Sequence, residues 1–139
     1  MSAENKAVID RLTQAFNEGN LSLIDELVAP EFVGHNPLSP EPIQGPEGLK
    51  GFFGAFRAAM PDIVHPSWTL IAEGDLVVIH MPIEGTLTNH LMGIPPNGKK
   101  VSLWMCNVWK VVGGRAVEWW INMDTLSLMQ QLGVVPPLG

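Results

Sequence analysis

Residues 101–123 read VSLWMCNVWKVVGGRAVEWWINM, and this stretch decides the fold. On either side of Gly113-Gly114 the residues are rich in Val, Ile and Trp and alternate with a period of two. A glycine pair supplies the positive φ that a tight hairpin requires. The stretch therefore predicts two antiparallel strands, Val101 to Val112 and Ala116 to Met123. Working upstream, Trp68 to Glu73 and Leu76 to Glu84 flank Gly74-Asp75 and predict a second hairpin. Downstream, Leu126 to Leu132 predicts a short helix, with Asp124 or Thr125 as its N-cap and Gly133 at its C-terminal end. Pro136-Pro137 ends any further structure.

Nearer the N-terminus the period becomes helical. Val8, Ile9, Leu12, Ala15 and Phe16 mark a helix over Ala3 to Glu18, stopped by Gly19. A second helix, capped by Asn20 or Ser22, places Leu23, Ile24, Leu27 and Val28 on one face before Pro30. Phe32 to His35 reads as a short strand and Leu38 to Gly45 as a loop. Pro46 then opens a third helix, whose stripe is Leu49, Phe52, Phe53, Phe56 and Met60, ended by Pro61. Helices segregated from consecutive strands make an α+β domain. A curved antiparallel or mixed sheet wrapped around the N-terminal helices would bury the phenylalanine stripe and leave a cavity, walled by residues such as Phe53 and Phe56.

The chain has 139 residues, which predicts one domain over 1–139. Net charge is −6, and no basic run exceeds Lys99-Lys100, so neither nucleic acid nor an anionic membrane is the expected partner. The N-terminus MSAENKAVID is not apolar, and no run approaches the roughly 18 residues of a membrane span. A soluble cytoplasmic domain is expected. Cys106, the single cysteine, sits in an apolar strand without a basic neighbour and reads as buried and inert.

No phosphate-loop, nucleophile-elbow or H-E-x-x-H motif occurs, and the spacing of His35, His65, His80 and His90 matches no metal site. No metal and no cofactor are expected. Asp124 ends a tryptophan-rich strand whose alternation puts Glu118, Trp120, Asn122 and Asp124 on one face. A carboxyl beside indole rings and away from water has its charged form disfavoured, and can then exchange protons near neutral pH. Alternatively Asp124 simply caps the last helix, and the two roles can coexist. His35 ends a strand at a plausible pocket rim, whereas His65, followed by Pro66, reads as structural or exposed. Asn107, among apolar neighbours, is either a core amide satisfied by backbone or a pocket hydrogen-bonder.

Taken together, these stretches resemble the SnoaL-like polyketide cyclases, of the nuclear transport factor two-like fold. The resemblance rests on Phe32-Val33-Gly34-His35, Met60-Pro61-Asp62, Leu70 to Asp75, Met92-Gly93-Ile94-Pro95-Pro96, Val117 to Trp120 before Asp124, and Leu128-Met129-Gln130-Gln131-Leu132-Gly133. It implies a cone-shaped α+β fold, dimeric through its outer sheet face, and a cofactor-free, metal-free aldol ring closure. In that reading Asp124 is the general acid/base, and His35 matches a pocket histidine. The chain departs from the family pattern in one segment. Gly85-Thr86-Leu87-Thr88-Asn89-His90 carries Leu87 where a histidine is usual and His90 where an acid is usual, so His90 becomes a further candidate.

Two classes of function follow. One is a cyclase- or isomerase-type enzyme acting on a hydrophobic, carbonyl-bearing molecule, with Asp124, His35 and His90 catalytic and Asn107, Trp120, Asn122, Phe53 and Phe56 contacting substrate. The other is a non-catalytic ligand-binding or dimerisation module, in which Asp124 only caps. An epoxide-hydrolase-like site is a third, weaker reading, because it needs an arginine bridging two carboxylates and Arg57 and Arg115 are poorly placed. Four of the five tryptophans fall on the last two strands, more than one small core hides, and predict a homodimer.

Overall fold

The computed structural model describes residues 2–136; Met1, and Pro137 with the rest of the C-terminal tail, lie outside the described residues. Its elements in order are α1 (Ser2–Glu18), a 3-10 turn (Leu21–Leu23), α2 (Ile24–Leu27), β1 (Val28–His35), β2 (Ile43–Gln44), α3 (Gly45–Ala59), β3 (Thr69–Glu73), β4 (Leu76–Thr86), β5 (Lys100–Val112), β6 (Arg115–Trp120) and α4 (Thr125–Gln131). The strands form one curved, unclosed sheet in the order β2-β1-β6-β5-β4-β3. Only β1 and β6 run parallel; the other neighbours are antiparallel. This is the expected α+β architecture.

Both hairpins form where the glycines allow, with φ of 58° at Gly74 and 61° and 79° at Gly113 and Gly114. Other boundaries differ for physical reasons. The second helix is only a 3-10 turn and one α-turn, and Asn20 makes no side-chain cap. Val28 already belongs to β1, because it pairs with Ala116 across the sheet. Pro30, which has no N–H to donate, falls within the irregularity between Val28 and Val33. Within the expected loop, Ile43 and Gln44 form a two-residue strand against β1. The last strand stops at Trp120, but its line continues: Ile121 N donates to His35 O at 3.0 Å, and Met123 bridges Met105.

Along β4 and β5 the odd positions turn inward, so Val77, Ile79 and Met81 face Leu103, Met105 and Trp109. Against this face α1 packs on β3 and β4, and α3 packs on β1 and β2. The phenylalanine stripe lands where predicted: Phe52 and Phe53 each set their rings edge-on to Trp119 at 5.9 Å. Cys106 corrects the sequence reading. Its even position puts it on the outer face, exposed beside Trp104, and not in the core.

Candidate functional site

Between the sheet's inner face and the helices lies a cavity of about 60 Å³. Phe16, Phe53 and Phe56 line it from the helices, and Met105, Trp109 and Trp119 from the sheet. Trp109 and Trp119 stack at 4.3 Å with 13° between planes, forming a flat indole wall. Such a surface gives water few partners and favours an apolar occupant.

Thr13 and Glu84 also line the cavity, and three further polar groups interrupt this surface or lie beside it. Trp119 is 3% exposed, and its Nε1–H has no hydrogen-bond acceptor among the described residues. Asn107 is fully buried on the inward parity of β5, between Met105 and Trp109. Its Oδ1 accepts from Asn122 N at 2.8 Å, which leaves Nδ2 buried without a partner. The backbone-satisfied alternative for Asn107 thus holds at one end of the amide, while the residue itself is not among those lining the cavity. A buried donor left unpaired costs roughly 1–3 kcal/mol.

The third group is His65, on the segment between α3 and β3. It is 6% exposed and lines the cavity, which excludes the exposed alternative and leaves the structural one. Asn17, near the end of α1, clamps its backbone: His65 N donates to Asn17 Oδ1 at 2.8 Å, and Asn17 Nδ2 donates to His65 O at 2.9 Å. The ring stands 4.9 Å from Phe16, with Nδ1 3.1 Å from the Pro82 carbonyl. A carbonyl only accepts, so the proton is on Nδ1 and Nε2 carries a lone pair. Burial pushes the imidazolium down to about 4, against the opposing pull of the Pro82 carbonyl, so the ring is neutral at pH 7.

The other predicted site residues divide into three places. Phe53 and Phe56 line the cavity. His35, Trp120 and Asn122 come together in a shallow groove on the outer face. There His35 Nε2 pairs with Glu118 Oε2 at 2.7 Å, and its ring stacks on Trp120 at 5.7 Å. Strand alternation correctly grouped Glu118, Trp120 and Asn122, but the face they share is the outer one, and Trp119 occupies the cavity side.

Asp124 stands apart from both places. It is exposed, and its Oδ1 accepts from Ser127 N at 3.0 Å as the N-cap of α4, while Met123 and Leu128 on either side of it line the cavity. His90 is exposed in the connection between β4 and β5, outside the cavity lining, and Leu87 is fully buried.

Arg57 donates to the Phe16 carbonyl at 2.6 Å and Arg115 is exposed at the start of β6, so neither bridges a carboxylate pair. Among the described residues, no three His, Cys, Asp or Glu side chains gather as a metal cage. No described helix is long and apolar enough to cross a membrane.

A family model described as SnoaL-like polyketide cyclase matches residues 6–132. The nogalonic acid methyl ester cyclase of Streptomyces nogalater is 24% identical over 123 residues, covering 88% of this chain and 92% of that protein. Among solved structures, wild-type IdmH of Streptomyces antibioticus, a presumed polyketide cyclase, superposes with a TM-score of 0.78 at 33% identity, over 94% of this chain and 99% of that one. AclR of Streptomyces galilaeus, a presumed hydroxylase, reaches 0.85 at 25% identity, over 100% and 87% of the two chains.

Proposed function

This chain belongs to the SnoaL-like polyketide cyclase family, and from that membership we propose that it binds a hydrophobic, carbonyl-bearing small molecule in the inner cavity and catalyses a cyclase- or isomerase-type reaction on it. The observation that carries the reading is Trp119 Nε1–H, a buried donor without a partner among the described residues, on an indole that lines the cavity; Asn107 Nδ2, unpartnered as well, lies on the neighbouring strand behind that lining. A ligand carbonyl in the cavity would give Trp119 Nε1–H its acceptor. Loss of a proton beside that carbonyl puts negative charge on its oxygen, and preformed donors in a dry site stabilise that charge far better than water does. Phe53 and Phe56 supply apolar contact.

The proton itself needs an acceptor. Asp124 is the acid/base that the family resemblance proposes. Acting in that role requires its carboxylate to leave the α4 cap and enter the cavity beside Met123 and Leu128. Asp124→Asn keeps a capping oxygen and removes the base. Turnover of a carbonyl-bearing polyketide ester, for instance the nogalonic acid methyl ester named for the Streptomyces nogalater relative, should fall at least a hundredfold in that variant. Full turnover in Asp124→Asn would remove Asp124 from the mechanism.

The capping bond favours a second reading, a ligand-binding module without catalysis. The module reading expects the pocket's polar groups to be paired among themselves, which the Trp119 N–H is not. Saturable binding without turnover of any such ester would decide for it.

A further inference from the structure

The Trp119 indole N–H can only donate to a ligand, and His65, which lines the same cavity with Thr13 and Glu84, offers a fixed imidazole acceptor. From this we infer that His65 is a specificity-determining residue, whose Nε2 accepts a hydrogen bond from a hydroxyl of the ligand. The preferred occupant is then a hydroxylated, largely apolar ketone, with carbonyl and hydroxyl held at different walls. The inference rests on the inner cavity being the ligand site.

Three restraints hold the imidazole in place. Asn17 grips the His65 backbone from both sides, at 2.8 and 2.9 Å. Val64, its neighbour, is tied to Glu84 by a pair of backbone bonds of 2.9 and 3.0 Å. The Pro82 carbonyl fixes Nδ1–H and with it the tautomer. What remains is Nε2, which has no partner among the described residues, on a ring that lines the cavity. A neutral imidazole nitrogen in that position accepts from O–H and offers nothing to a second carbonyl. The aromatic contacts run from His65 to Phe16, from Phe16 to Phe53 at 5.0 Å, and from Phe53 to Trp119. Phe16 and Phe53 thus link His65 to Trp119 along the cavity lining, and a ligand reaching both lies against apolar rings in its middle.

Acetophenone and its meta- and para-hydroxy derivatives test this in the intact protein, by calorimetry and by nitrogen NMR of the histidine ring. At least one hydroxy isomer should bind about tenfold more tightly than acetophenone. The His65→Leu variant should lose that advantage while keeping its affinity for acetophenone. In the wild-type protein, the Nε2 resonance of His65 should move with the hydroxy ketone and not with acetophenone, which decides the matter even if His65→Leu does not fold. Equal affinity for all three ketones, or an unmoved Nε2 resonance, overturns the inference and leaves the cavity reading standing. If none of the three binds, the cavity reading itself fails and the inference falls with it.

Discussion

At the scale of single residues, the cavity depends on polar atoms whose partners are missing. Trp119→Phe removes one indole N–H together with part of the ring that stacks on Trp109, and Asn107→Leu removes the amide together with its bond to Asn122 N. For the first, kcat/KM on a carbonyl substrate should drop by about 10- to 100-fold, and the void left by the smaller ring should cost stability on the order of 1–3 kcal/mol. The second should cost stability as well, on the order of 1–3 kcal/mol, because the Asn122 N–H loses its acceptor. His65 gives a separate pH signature. Its folded value of about 4 lies below the ordinary histidine value of 6.5, so in that window the unfolded chain binds a proton that the folded chain refuses. Stability must therefore fall as pH drops through the window, by a total of about 3 kcal/mol from this residue. Urea midpoints measured across the range should show a shallower slope in His65→Gln than in the wild type; identical slopes would contradict a buried neutral imidazole.

At the scale of elements, Asp124 has a role that can be weighed without any substrate. Its bond to Ser127 N satisfies one of the free N–H groups at the start of α4. Asp124→Ala should therefore cost about 1 kcal/mol in the urea midpoint, while Asp124→Asn should cost much less.

The strands also explain what could be read before the fold was known. Alternation along β4, β5 and β6 was plain from composition, and both glycine turns announced their hairpins. Which parity faces inward was harder to read, because tryptophan occurs on both faces of β5 and β6. Trp109 and Trp119 face in; Trp104 and Trp120 face out. A polar motif sought beside tryptophan therefore led to the outer groove of His35, Trp120 and Asn122. His65 was missed because its burial comes from distant segments, namely the Asn17 clamp and the Pro82 carbonyl, and no local period records such contacts.

At the scale of the whole molecule, the outer sheet face carries an apolar surface. Ile71 is 62% and Trp104 57% exposed, and the His80 ring stacks on Trp104 at 4.7 Å. We propose that a second copy of the chain covers this face. Light scattering at micromolar concentration should give a dimer mass, and Trp104→Glu should return a monomer with the core intact; a wild-type monomer would refute the proposal.

The central claim is that the inner cavity, and not the outer groove, receives a carbonyl-bearing molecule. Each of the five tryptophans contributes one indole N–H signal to a proton–nitrogen correlation spectrum, and Trp119→Phe identifies the one that matters. Titrating the protein with acetophenone should shift the Trp119 signal downfield as its Nε1–H finds an acceptor, and leave Trp120 unmoved. A shift at Trp120 and the His35 ring, with Trp119 unchanged, would place the ligand in the outer groove and contradict the account.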